Sequence, residues 1–209
     1  MEKTQIKENL SEDDLKEIKK IKSLPGDVIG AAFTEDINFI LKKEGKEGLE
    51  KIEEFFEKVC LIKYQEIANF KWYPLSYYII FLFLVKRIFN WDDKTIKEMG
   101  ANAIKISSIT RMMMRYFISA RRCLKESPFY WKKYFTAGSL GFSDYNEEKR
   151  YLLMIIKDFP GHQVWCCYFE GVLETIGSFM FHHPQSQEIE CGLKKGNNTH
   201  VFKVTWESK

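Results

Sequence analysis

The stretch Ser139–Asp158, SLGFSDYNEEKRYLLMIIKD, decides the reading of the fold. Ser139–Asn146 and Arg150–Asp158 read as two strands joined by the polar turn Glu147-Glu148-Lys149. Pro160-Gly161 ends the pair. A helix is predicted over Val164–Phe181, with Cys167, Val172, Ile176 and Phe179 among its apolar positions. Gln187–Leu193 and His200–Trp206 then read as a second hairpin, with Gly196-Asn197 as its turn. In the last strand Phe202, Val204 and Trp206 alternate with Val201, Lys203 and Thr205, the period of a sheet with one buried face. The unit is therefore β-β-α-β-β.

Upstream of Gly138 the period is helical. Ser11 with Asp14 forms a cap pattern opening a helix to about Ser23, and Pro25-Gly26 ends it. Ile29–Lys43 and Lys46–Val59 read as two helices broken at Gly45, with Leu49, Ile52, Phe55 and Phe56 on the inward face of the second. Trp72-Tyr73-Pro74 reads as a turn, since Pro74 suits a first helical turn. Helices follow at about Leu75–Phe89, Asp92–Ile106, Arg111–Lys125 and Pro128–Phe135. Helices and strands are segregated, which predicts an α+β fold: an N-terminal helical bundle packed on a C-terminal antiparallel β-β-α-β-β sheet unit. The predicted organisation is an N-terminal helical extension, residues 1–24, and one domain, residues 25–206. Residues 25–137 form its helical part and residues 138–206 its sheet part.

A chain of 209 residues with 45% hydrophobic and 29% charged residues can bury a sizeable core, and disorder over most of its length is excluded. Aromatic residues make up 15%, so a ring-rich core or pocket is expected. The net charge of +3 comes from interleaved acids and bases, as on a solvated helix face. The densest basic cluster, Arg111, Arg115, Arg121, Arg122 and Lys125, comes with no recognised binding motif, so no nucleic-acid partner is expected. The apolar run Trp72–Val85 is about 14 residues, short of the roughly 20 that a bilayer needs, so no membrane span is expected. With no signal-peptide pattern at Met1–Leu24, a soluble cytoplasmic protein is expected. Its five cysteines are then thiols or metal ligands rather than disulfides.

The C-terminal unit is similar to a known family. Cys166-Cys167-Tyr168-Phe169-Glu170-Gly171, then Glu190-Cys191, Gly196-Asn197 and His200-Val201-Phe202 resemble the 4-vinyl-reductase-like and heme-NO-binding-like sensor domains. Gly30, Gly48-Leu49, Trp72-Tyr73-Pro74, Gly100 and Trp131–Gly138 extend the resemblance upstream. It implies a helix-covered twisted sheet and a buried ligand cavity, without fixing the ligand. It also implies a metal set of Cys167 (or Cys166), Cys191, His200 and an upstream carboxylate, Glu147 or Glu148. His200 stands where that family has cysteine. The ordinary alternative is that the cysteines are small core residues and His200 lies on the surface.

Zinc is thus the candidate metal, because thiolates and imidazole suit it. The residues argue against heme. Phe117-Ile118-Ser119-Ala120-Arg121 lacks the tyrosine of the propionate motif, and every histidine, His162, His182, His183 and His200, lies after it. His182-His183 reads as a helix C-terminal pair whose rings point apart on an extended chain. Trp72, Tyr73, Tyr77 and Phe81 are the candidate pocket aromatics, with core packing as their ordinary role.

The sequence contains no phosphate loop, dinucleotide fingerprint or nucleophile elbow, so no enzyme is expected. The expected function is a sensor or accessory domain that binds a small hydrophobic ligand and forms a homodimer. The alternatives are a dimeric interaction module without a ligand, and a tetrapyrrole-handling enzyme or heme-based sensor. Ile79, Phe83, Met113 and Phe117 give residues 75–125 more apolar surface than one stripe per helix needs, so dimerisation is predicted there. Sedimentation at micromolar concentration checks this; a monomer counts against it.

Overall fold

In the computed structural model, which describes residues 10–106 and 120–208, the helical part comes first and the sheet follows. Helix α1 (Glu12–Ile21) opens on a capping box. The Asp14 backbone N–H donates to Ser11 Oγ, and the Ser11 N–H donates to the Asp14 carboxylate. Ile18 and Ile21 seat this helix in the core. Strand β1 (Asp27–Ile29) pairs antiparallel with β2 (Trp72–Pro74), where the sequence predicts only a turn. Three residues are too few to show a two-residue period.

The two helices predicted on either side of Gly45 are one element, α2 (Ala31–Cys60), bent there. Gly45 sits at φ 73°, a conformation open to glycine and strained for most other residues. Helix α3 (Leu75–Ile88) is buried on all sides, from Leu75 through Val85 apart from the partly covered Tyr77. Ile79 and Phe83 therefore lie inside the core and not on an exposed face. Met113 and Phe117, the other two residues of the expected dimer surface, lie outside the described residues.

Helix α4 (Asp93–Ile106) follows, then α5 (Ala120–Tyr134). Pro128 lies within α5 and does not begin a helix of its own. The sheet comprises β3 (Ser139–Asn146), β4 (Tyr151–Lys157), β5 (His182–Glu190) and β6 (His200–Glu207), with α6 (Gln163–Ser178) crossing between the hairpins. Strand order is β3-β4-β6-β5, antiparallel throughout. The fold is α+β, as the segregated periods predict. One difference is local. The third strand starts at His182 rather than Gln187 and ends at Glu190, and the connecting loop holds a short helix, α7 (Gly192–Lys195). No helix among the described residues is long and apolar enough to cross a membrane.

The tightest contact is the crossing of α4 and α6. A Cβ built on Gly100 would lie 2.0 Å from the Tyr168 carbonyl oxygen, and one on Gly171 would lie 1.8 Å from that of Lys97. Only glycine lets the two backbones approach this closely. The crossing is clamped by Lys97, whose Nζ lies 2.8 Å from Glu174 and 3.3 Å from Glu170, and donates to the Ser186 carbonyl at 2.8 Å. The same two carboxylates accept from the edge strand β5, Glu174 from the Ser186 N–H at 2.8 Å and Glu170 from the Glu188 N–H at 2.7 Å. Two backbone donors on an open sheet edge are thereby satisfied.

Gly171→Ala is expected to lose about 2 kcal/mol, because forcing the backbones apart costs more than the roughly 1 kcal/mol of helix propensity that alanine returns. For a domain of this size that is a melting-temperature drop of roughly 4–8 °C, read by circular dichroism.

Candidate functional site

Between α5, α6 and the inner face of the sheet lies an apolar cavity of about 160 Å³. Helix α5 contributes Cys123, Tyr130, Trp131 and Tyr134, and α6 contributes Trp165, Tyr168 and Phe169. Leu152 and Met154 of β4 and Val204 of β6 form the floor, placed there by the two-residue period of their strands. The rings hold one another. Trp165 stacks on Phe169 at 4.8 Å between centroids, and Trp131 meets both edge-on at 6.1 and 5.9 Å. The Trp131 indole N–H donates to the Ala137 carbonyl at 2.9 Å, which fixes its ring in the wall.

The polar end of this wall is built on Asp36, a fully buried residue of α2. Its two carboxylate oxygens accept from the Tyr78 hydroxyl at 3.0 Å and the Tyr168 hydroxyl at 2.9 Å, and both tyrosines line the cavity. Burial pushes the Asp36 carboxyl well above the ordinary carboxylate range, with the two tyrosine hydrogen bonds opposing it. Burial likewise raises both phenols. Cys123 is buried in the wall of α5, and burial pushes its thiol up to about 12.

A second polar cluster lies behind α6. Cys166, Glu188, Cys191 and His200 each offer a donor atom, all within 4.8 Å of one another, an arrangement able to hold a metal ion. His200 Nδ1 is 2.8 Å from Glu188 Oε1 and 3.5 Å from the Cys166 sulfur. His200 is fully buried rather than on the surface, and its Nε2 has no hydrogen-bond partner among the described residues. Burial is also the main cause of the raised Cys166 thiol, with the Glu188 charge next.

The predicted ligand set of Cys167, Cys191, His200 and Glu147 is thus brought together only in part. Cys191 and His200 meet, and Cys166 takes the helix position. Cys167 faces Asp93 on another side of α6, one residue on a helix turning the side chain away. The carboxylate is Glu188, three residues before Cys191, whereas Glu147 lies in the first hairpin turn beside a separate cleft. A Glu-x-x-Cys spacing was the available signal for Glu188.

Trp72, Tyr73, Tyr77 and Phe81 do not line the cavity. Trp72 is exposed, and Phe81 sits in a core ring cluster, stacked on Tyr64 at 6.1 Å. The cavity rings come instead from α5 and α6. No sequence signal marked Asp36, which reads as one more polar residue of a helix face.

Neither a family model nor a curated protein matches the sequence. The solved structures do. An Fe(II) unliganded H-NOX protein from K. algicida is 14% identical over 87% of this chain and 97% of its own, with a TM-score of 0.63. An H-NOX protein from S. oneidensis in the Fe(II)NO ligation state is 12% identical over 86% of this chain and 99% of its own, at 0.65. A third structure, described as modulating heme redox potential through protein-induced porphyrin distortion, covers 85% of this chain and 97% of its own at 12% identity and 0.57.

The chain has the H-NOX fold. The heme-NO-binding side of the resemblance is thereby upheld, while the 4-vinyl-reductase label gains no support from these structures. They also overturn the reading of zinc as the candidate cofactor and of heme as disfavoured. The proteins that share this H-NOX fold are described by heme and by Fe(II) states. That reading relied on short motifs, and at 12–14% identity a motif can vanish while the fold persists.

Asp36 gives a test of the buried array. Its carboxyl keeps its proton in the folded state over a range where the unfolded chain, titrating near 3.8, has lost it. The folded state then binds more protons, so stability falls as pH rises from about 4 toward the raised folded value. Asp36→Asn, which can still accept from one tyrosine and donate to the other, removes this slope. The melting temperature of the variant relative to the parent is expected to climb as pH rises above about 4, and a flat difference refutes the assignment.

Proposed function

We propose that this chain is a non-catalytic sensor domain whose ligand sits in the ring-lined cavity between α5, α6 and the sheet, and that this ligand is a heme-type tetrapyrrole. The observation that carries the reading is that cavity, wholly apolar apart from a few convergent polar groups, in a fold shared with structures described by heme. None of the chain's four histidines lines it. The donors in its wall are of other types that heme iron accepts, namely a thiol in Cys123 and phenols in Tyr130 and Tyr134. Cys123 is the residue that would hold the iron. Its thiol, raised to about 12 by burial, is neutral in the empty cavity and would ionise only against a metal centre. When bound, heme supplies an iron atom able to take a small gas. The residues of this chain exclude water through Trp131, Trp165 and Phe169, and present the Tyr78 and Tyr168 hydroxyls at one end.

The volume favours a second reading. About 160 Å³ matches a cavity that holds one benzene-sized molecule, so a single-ring apolar ligand enters without rearrangement, whereas a porphyrin requires the α5 wall to move outward.

Titration of the protein with hemin, followed by absorption, separates the two. A saturable heme spectrum that changes in form in Cys123→Ser supports the first. No heme binding, together with a rise of roughly 5–11 °C in melting temperature when toluene or indole is present at about 100 times its dissociation constant, supports the second. Failure of both removes the cavity as a ligand site.

A further inference from the structure

The sequence places His182 and His183 on an extended chain, where neighbouring side chains point to opposite faces. Pro184 follows, and a residue before proline is pushed further toward the extended region. The structure does the reverse. His183 has φ 45°, in the left-handed region, and the two imidazole rings stack with centroids 4.0 Å apart. Glu207 on β6 is the cross-strand partner of His182, and its carboxylate lies 3.3 Å from His183 Nδ1. The β5–β6 register breaks directly after His182. A strained residue and a register break thus converge to put two imidazoles and a carboxylate on one spot, with donor atoms within 4.8 Å of one another.

The site is exposed, and His182 and Glu207 line a cleft of about 670 Å³ that shares Met180 and Phe181 with the apolar cavity. Glu147 and Glu148 on the same cleft offset the charges of Arg121 and Arg150, so a cation is not repelled. Two nitrogens and one oxygen, without sulfur, suit a borderline divalent ion and not calcium or magnesium, which take oxygen ligands.

We propose that His182, His183 and Glu207 bind a divalent transition-metal ion of the copper–nickel class at the end of the β5–β6 hairpin, leaving coordination positions open to solvent and the cleft. The site is separate from the Cys166–His200 cluster and does not depend on what fills the cavity.

The test is calorimetric titration of the full chain, stripped with a chelator, with Ni(II), alongside absorption spectra. One ion per chain is expected, without a thiolate-to-nickel charge-transfer band. Loss of outer partners of a metal site alone costs roughly 10–100-fold in affinity, so His182→Gln with His183→Gln should weaken binding by about 100-fold or more. His183→Gly should also weaken binding while raising the melting temperature of the metal-free protein, since glycine relieves the left-handed strain. Unchanged affinity in the double variant, a thiolate band marking capture by Cys166 and Cys191, or no binding overturns the proposal. Because the exposed double variant leaves the core intact, its result is read on folded protein.

Discussion

The contact on which the rest of this structure depends is the crossing of α4 and α6 at Gly100 and Gly171. With backbone against backbone, the helices have one workable separation, and any Cβ there would meet a carbonyl oxygen at about 2 Å. Lys97 converts the contact into a fixed orientation, since its ammonium bridges two turns of α6 and the edge strand β5. Partly buried ions of this kind are worth keeping only when every partner is satisfied. Here Glu170 and Glu174 also serve the β5 backbone, so helix, ion pairs and sheet edge share one set of atoms.

With α6 fixed, its faces fall to separate tasks. Trp165, Tyr168 and Phe169 close the apolar cavity, Cys166 reaches the buried His200 and the half-buried Glu188, and Glu170 and Glu174 hold the sheet edge. Successive residues are about 100° apart around a helix, so neighbouring residues of the same few turns can serve all three. Tyr168 ties this helix to the N-terminal part through Asp36, a contact across 132 residues of sequence. The cavity is therefore not a gap left between layers. Its polar end is set by a buried carboxyl that two tyrosine hydroxyls hold in place, and its apolar walls are rings braced against one another.

Much of the architecture was legible because burial imposes periods. The alternation Phe202, Val204, Trp206 places three side chains toward one face, and the first two are fully buried. The glycine at 45 marks the bend in α2, and the apolar run Leu75–Val85 is buried on nearly all sides, as an unbroken apolar segment must be. The short pairing of Asp27–Ile29 with Trp72–Pro74 was not legible, because three residues carry no period and their partners are far apart in sequence. The candidate site was legible only in part. Cysteine and histidine can be picked out by type, but whether Cys166 or Cys167 faces His200 depends on the rotation of α6. That rotation is set by the glycine crossing with α4.

The sequence by itself determined the α+β class, the order of elements and the residues whose chemistry is unusual, since these follow from local periodicity and side-chain type. Only the tertiary structure decided which of those residues meet. It buried His200, drew Asp36 between two tyrosines, moved the pocket from Trp72–Phe81 to the rings of α5 and α6, and turned His183 back onto His182. Each of these is a long-range or strained arrangement, fixed by packing between segments that a local pattern does not relate.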